Sequence, residues 1–94
     1  ADVVKTTFPT NGTVDDFKAI VEAAIVPVIV LGGAAMGDDR ALLAMVKNAM
    51  DAGASGIAIG RNVWQHAAPS AMAAAMNAIV HEDASVESAL KLIP

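Results

Sequence analysis

Cysteine is absent from this sequence, and aromatic side chains are few: one tryptophan, two phenylalanines and no tyrosine. Without cysteine the chain can form no disulfide, no thiolate metal site and no cysteine nucleophile. A protein with no disulfides suits the reducing interior of a cell, and we therefore expect a cytoplasmic location.

Positive charge is also scarce, since six lysines and arginines face ten aspartates and glutamates, for a net charge of -4. With no basic patch, we expect no nucleic-acid partner. No apolar run reaches the roughly 18 residues that span a bilayer, and no signal peptide is visible, so we expect no membrane partner. An anionic ligand would have to be bound locally, by backbone N–H groups and one or two cations.

Small and branched aliphatic side chains dominate what is present, and hydrophobic residues make up 55% of the 94 positions. This composition is too apolar for a disordered segment and predicts one small domain. Side chains of this kind are typical of helices packed closely on a buried parallel sheet.

A strand-then-helix pattern occurs three times along the chain. Short apolar runs predict strands at residues 2–6, 27–31 and 56–59. Helical spacing and caps predict helices that begin after Thr13 and near Asp38, a third over 70–80 and a last one over 86–92, after Ser85. The alternation predicts an α/β fold with a parallel sheet, either an open doubly wound sheet or part of a (β/α) barrel. A complete barrel has eight such units.

Lys5 stands out because active sites in both architectures lie where parallel strands end. The other lysines fall within predicted helices, whereas Lys5 lies near the end of a strand that we expect to be buried on both faces. Burial disfavours the ammonium form, and the neutral amine is a nucleophile that can form an iminium with a ketone or aldehyde. The alternative is a structural lysine that forms a salt bridge or reaches the solvated rim.

The two following strands lead into turns that could bind an anion. Gly32 and Gly33 follow the second strand, where backbone N–H groups can approach a ligand, although a tight strand-to-helix turn also explains them. Gly60 and Arg61 follow the third strand, where the guanidinium could hold a phosphate, or Arg61 could be a surface residue that opens a helix. Two such turns after consecutive strands favour a phosphorylated ligand.

The remaining polar residues carry less information. His66 and His81 are isolated and lack metal-ligand spacing, so we predict that both are surface histidines. Asp38, Asp39 and Arg40 are interpreted as helix-cap and surface charges.

Four segments in order, "ADVVKT", "VPVIVLGG", "GASGIAIGRNVWQ" and "AMNAIVHEDASVESAL", resemble the C-terminal part of the archaeal-type class I, Schiff-base-forming aldolases. The fructose-bisphosphate aldolases belong to that group, and the deoxyribose-phosphate aldolases are more distant relatives with a similar Val-Lys-Thr strand. The resemblance covers essentially the whole chain.

The resemblance implies that residues 1–94 are the last three units, strands six to eight with their helices, of a TIM (β/α)8 barrel. It places Lys5 at the Schiff-base lysine, and Gly32, Gly33, Gly60 and Arg61 at the phosphate-binding turns. The implied activity is reversible aldol cleavage of a phosphorylated ketose such as fructose 1,6-bisphosphate, a glycolytic lyase reaction. No cofactor and no metal are implied, because the iminium withdraws the electrons.

Two alternatives stay open. One is a phosphate-binding barrel enzyme of another reaction type, such as a transaldolase-like or thiolase-like enzyme or a sugar-phosphate isomerase, with Lys5 structural. The other is a non-catalytic barrel fragment. In the family the proton-transferring residue comes from earlier strands, so we expect the isolated chain to be inactive and to need the N-terminal remainder of the barrel. We also expect a homo-oligomer.

Overall fold

Strands and helices alternate through the chain, and the computed structural model describes residues 2–8, 13–32 and 37–94. The elements in chain order are β1 Val4–Thr7, α1 Val14–Ala23, β2 Val28–Leu31, α2 Asp39–Asp51, β3 Gly56–Ala58, α3 Arg61–Trp64, α4 Pro69–Glu82 and α5 Val86–Leu90. The predicted α/β organisation is confirmed, and the three predicted strands are present with small changes at their ends.

The three strands form one parallel sheet in the order β1-β2-β3. Lys5 is in register with Ile29, and Val30 of the central strand is in register with both Thr6 and Ile57. Because the strands are parallel, their carboxyl ends meet at one edge of the sheet. The turns that follow β2 and β3 therefore begin at the same edge as the end of β1.

Burial differs sharply between the strands. Val28 and Val30 of β2 are buried, whereas Val4 and Lys5 of β1 are exposed. The prediction that the strand of Lys5 is buried on both faces is therefore wrong for this chain. The physical reason is that, among the described strands, β1 pairs with β2 alone, so one of its edges and much of its surface have no neighbour.

The hydrophobic core consists of two clusters that meet at α2. One lies between α2, α4 and α5 and is centred on Leu43, Val46, Met72 and Ile79. The other packs Phe17 of α1 against β2 and the C-terminal end of α2. The ring of Phe8 stacks on that of Phe17 with centroids 5.2 Å apart, which holds Phe8 against α1.

Side-chain caps set the starts of three helices, as predicted. Thr13 and Asp16 form a capping box at α1, Asp38 accepts the N–H of Ala41 at α2, and Ser85 accepts the N–H of Ser88 at α5. Gly53 follows the end of α2 with φ of +105°, a conformation that favours glycine and is typical of the residue after a helix.

Candidate active site

Lys5 lies in β1, beside the central strand, with its side chain exposed. No ion pair within residues 2–8, 13–32 and 37–94 involves Lys5, so the salt-bridge interpretation gains no support there. Gly32 lies three residues beyond Ile29, the register partner of Lys5. That separation is about 10 Å along the strand direction.

The turns after β2 and β3 are in direct contact. A Cβ atom placed on Gly32 would lie 2.8 Å from Cγ2 of Ile59 and 3.1 Å from Nδ2 of Asn62. Ile59 immediately precedes Gly60, so the backbone of the first turn packs against the start of the second. Packing alone thus requires glycine at position 32. The predicted residue Gly33 lies outside the described residues.

Gly60 and Arg61 open the short helix α3. Gly60 is its N-cap, and its carbonyl oxygen accepts the N–H groups of Val63 and Trp64 at 2.8 and 3.1 Å. The indole ring of Trp64 folds back over the glycine, since a Cβ on Gly60 would lie 2.5 Å from the ring carbon Cη2. Arg61 is exposed at the first position of the helix. The structure therefore brings Gly32, Gly60 and Arg61 together at one edge of the sheet.

Asn62 is the buried polar residue of the described core, with only 5% of its surface exposed. It lies between the two turns, with its amide against Gly32. Sequence reasoning did not single it out, because an asparagine near a helix start is usually exposed or caps the helix. It therefore packs against the first candidate turn and lies two residues after Gly60 of the second.

His66 is not the surface residue that its isolated position suggested. Its side chain is only 15% exposed, and Nε2 lies 2.8 Å from Oδ1 of Asp39. Its other ring nitrogen, Nδ1, accepts the backbone N–H of Ala68 at 2.8 Å. His81, by contrast, is exposed as predicted.

A sequence signal for the role of His66 existed at the start of α4. The N-cap of that helix is Ala68, which has no side-chain acceptor, and Pro69 follows as the first helical residue. A helix start without its own polar cap needs an acceptor from a neighbouring residue. His66 supplies it.

A small cavity lies next to the His66–Asp39 pair. Its volume is about 80 Å³, enough for a few water molecules. The lining residues are Gly37, Asp38, Asp39, Leu42, Asn62, Gln65 and His66. The cavity thus lies between the start of α2 and α3, close to Asn62.

The described residues contain neither a cluster of metal ligands nor a membrane-spanning helix. Within the ranges that the structure describes, no group of three or more His, Asp or Glu side chains is placed to hold a metal ion. In the same ranges, no helix has the length and apolar character needed to cross a bilayer.

The family model of the DeoC/LacD family aldolases matches residues 1–66 of the chain. A 2-amino-3,7-dideoxy-D-threo-hept-6-ulosonate synthase of Halobacterium salinarum is 49% identical over 90 residues, which cover 96% of this chain and 33% of that protein. A class 1 fructose-bisphosphate aldolase of the same organism is 43% identical over 90 residues, covering 96% of this chain and 34% of that protein.

Two further matches, a thiolase and a solved aldolase structure, have lower sequence identity to this chain. A 3-hydroxy-5-phosphonooxypentane-2,4-dione thiolase of Yersinia enterocolitica is 39% identical over 92 residues, covering 98% of this chain and 30% of the thiolase. The crystal structure of an archaeal fructose 1,6-bisphosphate aldolase superposes with a TM-score of 0.78 at 35% identity, covering 87% of this chain and 32% of that one. The chain spans about a third of the length of these relatives.

Proposed function

The chain belongs to the DeoC/LacD family of aldolases, and we propose that it supplies the Schiff-base lysine and the phosphate-binding turns of a class I aldolase. The observation that carries the proposal is the contact of Gly32 with Ile59 and Asn62. That contact joins two glycine turns at the edge of the sheet where the strand of Lys5 also ends. In this proposal the three units are strands six to eight of a (β/α)8 barrel.

Lys5 would carry the covalent chemistry. Its neutral amine attacks the carbonyl carbon of a ketose, and loss of water leaves an iminium. The bond between the carbons α and β to the iminium carbon then breaks, and its electron pair moves into the iminium to give an enamine. The β-hydroxyl proton leaves to a base as the aldehyde forms, and protonation and hydrolysis of the enamine release the second product and regenerate the amine.

The turns would hold the phosphate of the substrate. Backbone N–H groups of the Gly32 and Gly60 turns and the guanidinium of Arg61 supply hydrogen bonds and one positive charge. Gly33 belongs to the same proposed set. Two of the similar proteins, the fructose-bisphosphate aldolase and the phosphonooxypentanedione thiolase, carry a phosphate ester in their names. We therefore propose a phosphorylated ketose, such as fructose 1,6-bisphosphate, as the substrate class.

Borohydride trapping in a chimera tests the lysine. This chain would replace the matching 90-residue segment of the Halobacterium fructose-bisphosphate aldolase. Reduction in the presence of fructose 1,6-bisphosphate should add the substrate mass to Lys5, as located by peptide mass spectrometry. Lys5→Ala should abolish the adduct, and the matched control Lys18→Ala, which removes an exposed lysine of α1, should keep it.

Two results would contradict the aldolase proposal. An adduct on another lysine would show that Lys5 is structural. A folded chimera that gives no adduct and does not cleave fructose 1,6-bisphosphate would favour a different reaction on a phosphorylated ligand, of which the thiolase relative is an example.

A further inference from the structure

We infer that His66, through its hydrogen bond to Asp39, is a positioning residue that fixes the Gly32 turn and the Gly60 turn relative to each other. The inference rests on the proposed function, because those turns are the proposed phosphate site. It concerns a residue that is two positions beyond α3 and is not part of the turns themselves.

The two contacts of His66 define which ring nitrogen donates and which accepts. A backbone N–H can only donate, so Nδ1, which accepts from Ala68, carries no hydrogen. In the neutral ring the hydrogen is then on Nε2, which donates to Oδ1 of Asp39 at 2.8 Å. Both nitrogens are engaged and the side chain is largely buried, so the ring has one orientation.

The hydrogen bond between His66 and Asp39 matters because of where the two residues lie in the chain. Asp39 is the first residue of α2, the helix that follows the Gly32 turn, and His66 follows α3, the helix that Gly60 begins. The hydrogen bond therefore joins the first residue of α2 to a residue two positions beyond α3. At the sheet edge the turns already touch where Gly32 packs on Ile59 and Asn62. A second connection behind them restricts rotation of one turn against the other.

A simpler role competes with this one. His66 could merely cap α4 by accepting the N–H of Ala68, with the contact to Asp39 of no consequence. Two substitutions separate the roles because each keeps one nitrogen's function. His66→Asn keeps an acceptor near the Nδ1 position, whereas His66→Gln keeps an N–H donor near the Nε2 position.

Asp39 offers a second pair matched in charge. Asp39→Ala and Asp39→Asn remove the same negative charge, but only the asparagine keeps an oxygen that can accept from Nε2 of His66. Removing the negative charge of Asp39 reduces the repulsion of a nearby anion, and by itself this should strengthen phosphate binding. Weaker phosphate binding in Asp39→Ala would therefore run against the change in charge.

The experiment is a titration of the ¹⁵N-labelled chain with inorganic phosphate, followed by the amide signals of Gly60 and Arg61. We expect His66→Ala and Asp39→Ala to weaken phosphate binding about tenfold, since small displacements of binding groups have large effects. His66→Gln and Asp39→Asn should restore most of the affinity, and His66→Asn should not. The control His81→Ala removes an exposed histidine and should bind as the wild type does.

Two results would contradict the positioning role of His66. Unchanged affinity in Asp39→Ala, or rescue by His66→Asn rather than by His66→Gln, would overturn the positioning role and leave a cap of α4. If His66→Ala does not fold, as judged by circular dichroism, the two Asp39 variants carry the test.

Failure of the proposed phosphate site is distinguishable from failure of this inference. If the wild-type chain binds no phosphate, the proposal of a phosphate site in this chain is refuted. Ion-free spectra then decide the positioning role: shifted Gly32 and Gly60 amides in Asp39→Ala but not in Asp39→Asn support it, and unchanged amides in both refute it.

Discussion

Gly32 and Gly60 both lack room for a Cβ atom, but the obstructing atoms differ in their freedom to move. At Gly32 the neighbours are Ile59 and the buried Asn62, which are held by the surrounding structure. At Gly60 the neighbour is the ring of Trp64, which is 70% exposed and can swing outwards. The same substitution should therefore have different consequences at the two turns.

Gly32→Ala should lower the free energy of unfolding by about 1–3 kcal/mol, the usual effect of overpacking a filled site. Urea unfolding of the chain followed by circular dichroism would measure it. Gly56→Ala is the matched control, since the nearest side-chain atom would lie 3.8 Å from its Cβ, an ordinary contact distance. Equal stability of the two variants would contradict the packing argument.

Gly60→Ala should act on Trp64 rather than on stability. The new methyl group displaces the indole, and because the ring is exposed the free energy of unfolding should change by less than about 1 kcal/mol. Trp64 is the only tryptophan of the sequence, so the emission spectrum of the folded chain reports its environment directly. An unchanged spectrum would show that the ring does not rest on Gly60.

For single residues, position along the chain predicted which ones lie at the sheet edge. Contacts between residues far apart in sequence could not be predicted. Parallel strands end at one edge of the sheet, and this rule predicted that the residues after them, Gly32, Gly60 and Arg61, lie near one another. The structure brings these residues together. His66 was misjudged because its partner Asp39 is 27 residues away in sequence. Nothing within a few positions of either residue indicates that pairing.

The helix α2 is the element that both core clusters share. Leu43 and Val46 face α4 and α5, while Ala49 faces the cluster around Phe17 and β2. Removing side-chain volume from α2 therefore weakens the contact between the sheet and the last two helices.

Leu43→Ala should destabilise the chain by about 2–5 kcal/mol, because Leu43 is fully buried and its removal leaves a cavity. A loss of that size is a large part of the stability of a small domain. Thermal unfolding followed by circular dichroism would measure it, with Leu92→Ala as the control, since Leu92 is 49% exposed. A similar loss in both variants would show that the burial of Leu43 does not determine the loss of stability.

The solvent side of α2 carries ion pairs that should respond to acid. Lys47 lies 2.7 Å from Asp83, and Arg40 pairs with Glu87. Hydrogen bonding to Lys47, with its charge, lowers the pKa of Asp83 below the ordinary 3.8, and Arg40 likewise lowers the pKa of Glu87 below 4.5. A carboxylate whose pKa is lower in the folded state stabilises the fold at pH values above its unfolded-state pKa. This contribution is lost as the pH falls through its folded-state pKa.

The melting temperature should therefore fall as pH drops below about 4.5, the region set by these two carboxylates. Asp83→Asn should reduce the acid sensitivity, because its side chain does not titrate. Asparagine also tolerates the left-handed conformation of this position, where φ is 53°. Identical pH profiles for the variant and the wild type would show that the Lys47–Asp83 pair does not act in solution.

Element types were more predictable than element burial. The caps at Thr13, Asp38 and Ser85 are local signals three residues from the backbone N–H groups that donate to them, and each was confirmed. The four-residue helix α3 was not predicted as an element of its own, because so short a helix has no full period of apolar residues. The exposure of β1 depends on which strands flank it, and composition carries no such information.

At the scale of the whole molecule, the sheet leaves two strand edges without partners among the described strands. Val4 donates its N–H to the carbonyl oxygen of Pro27, which immediately precedes β2, so in a parallel ladder Lys5 and Thr7 direct their backbone groups to the free edge of β1. On the other side Ser55 donates to Val28, so Gly56 and Ala58 face the free edge of β3.

Apolar surface accompanies both free edges. Beside β3 a groove is lined by Ile57, Ile59, Met76 and Val80, among others, and beside β1 the side chains of Val3 and Val4 are exposed. Unpaired edges with apolar neighbours favour pairing with another chain. The edges are complementary in a parallel sheet, because the free side of β1 in one copy can extend β3 in the next.

The isolated chain should therefore self-associate, with a sedimentation coefficient that rises with protein concentration. Ala58→Pro should reduce the association, because proline removes an N–H from the free edge of β3 without touching the bond from Ser55 to β2. Ala58→Val is the control, since valine keeps the N–H and suits a strand. A wild-type chain that sediments as a monomer at every concentration would refute the pairing, and association that survives Ala58→Pro would place the contact on the apolar surfaces instead of the strand edge.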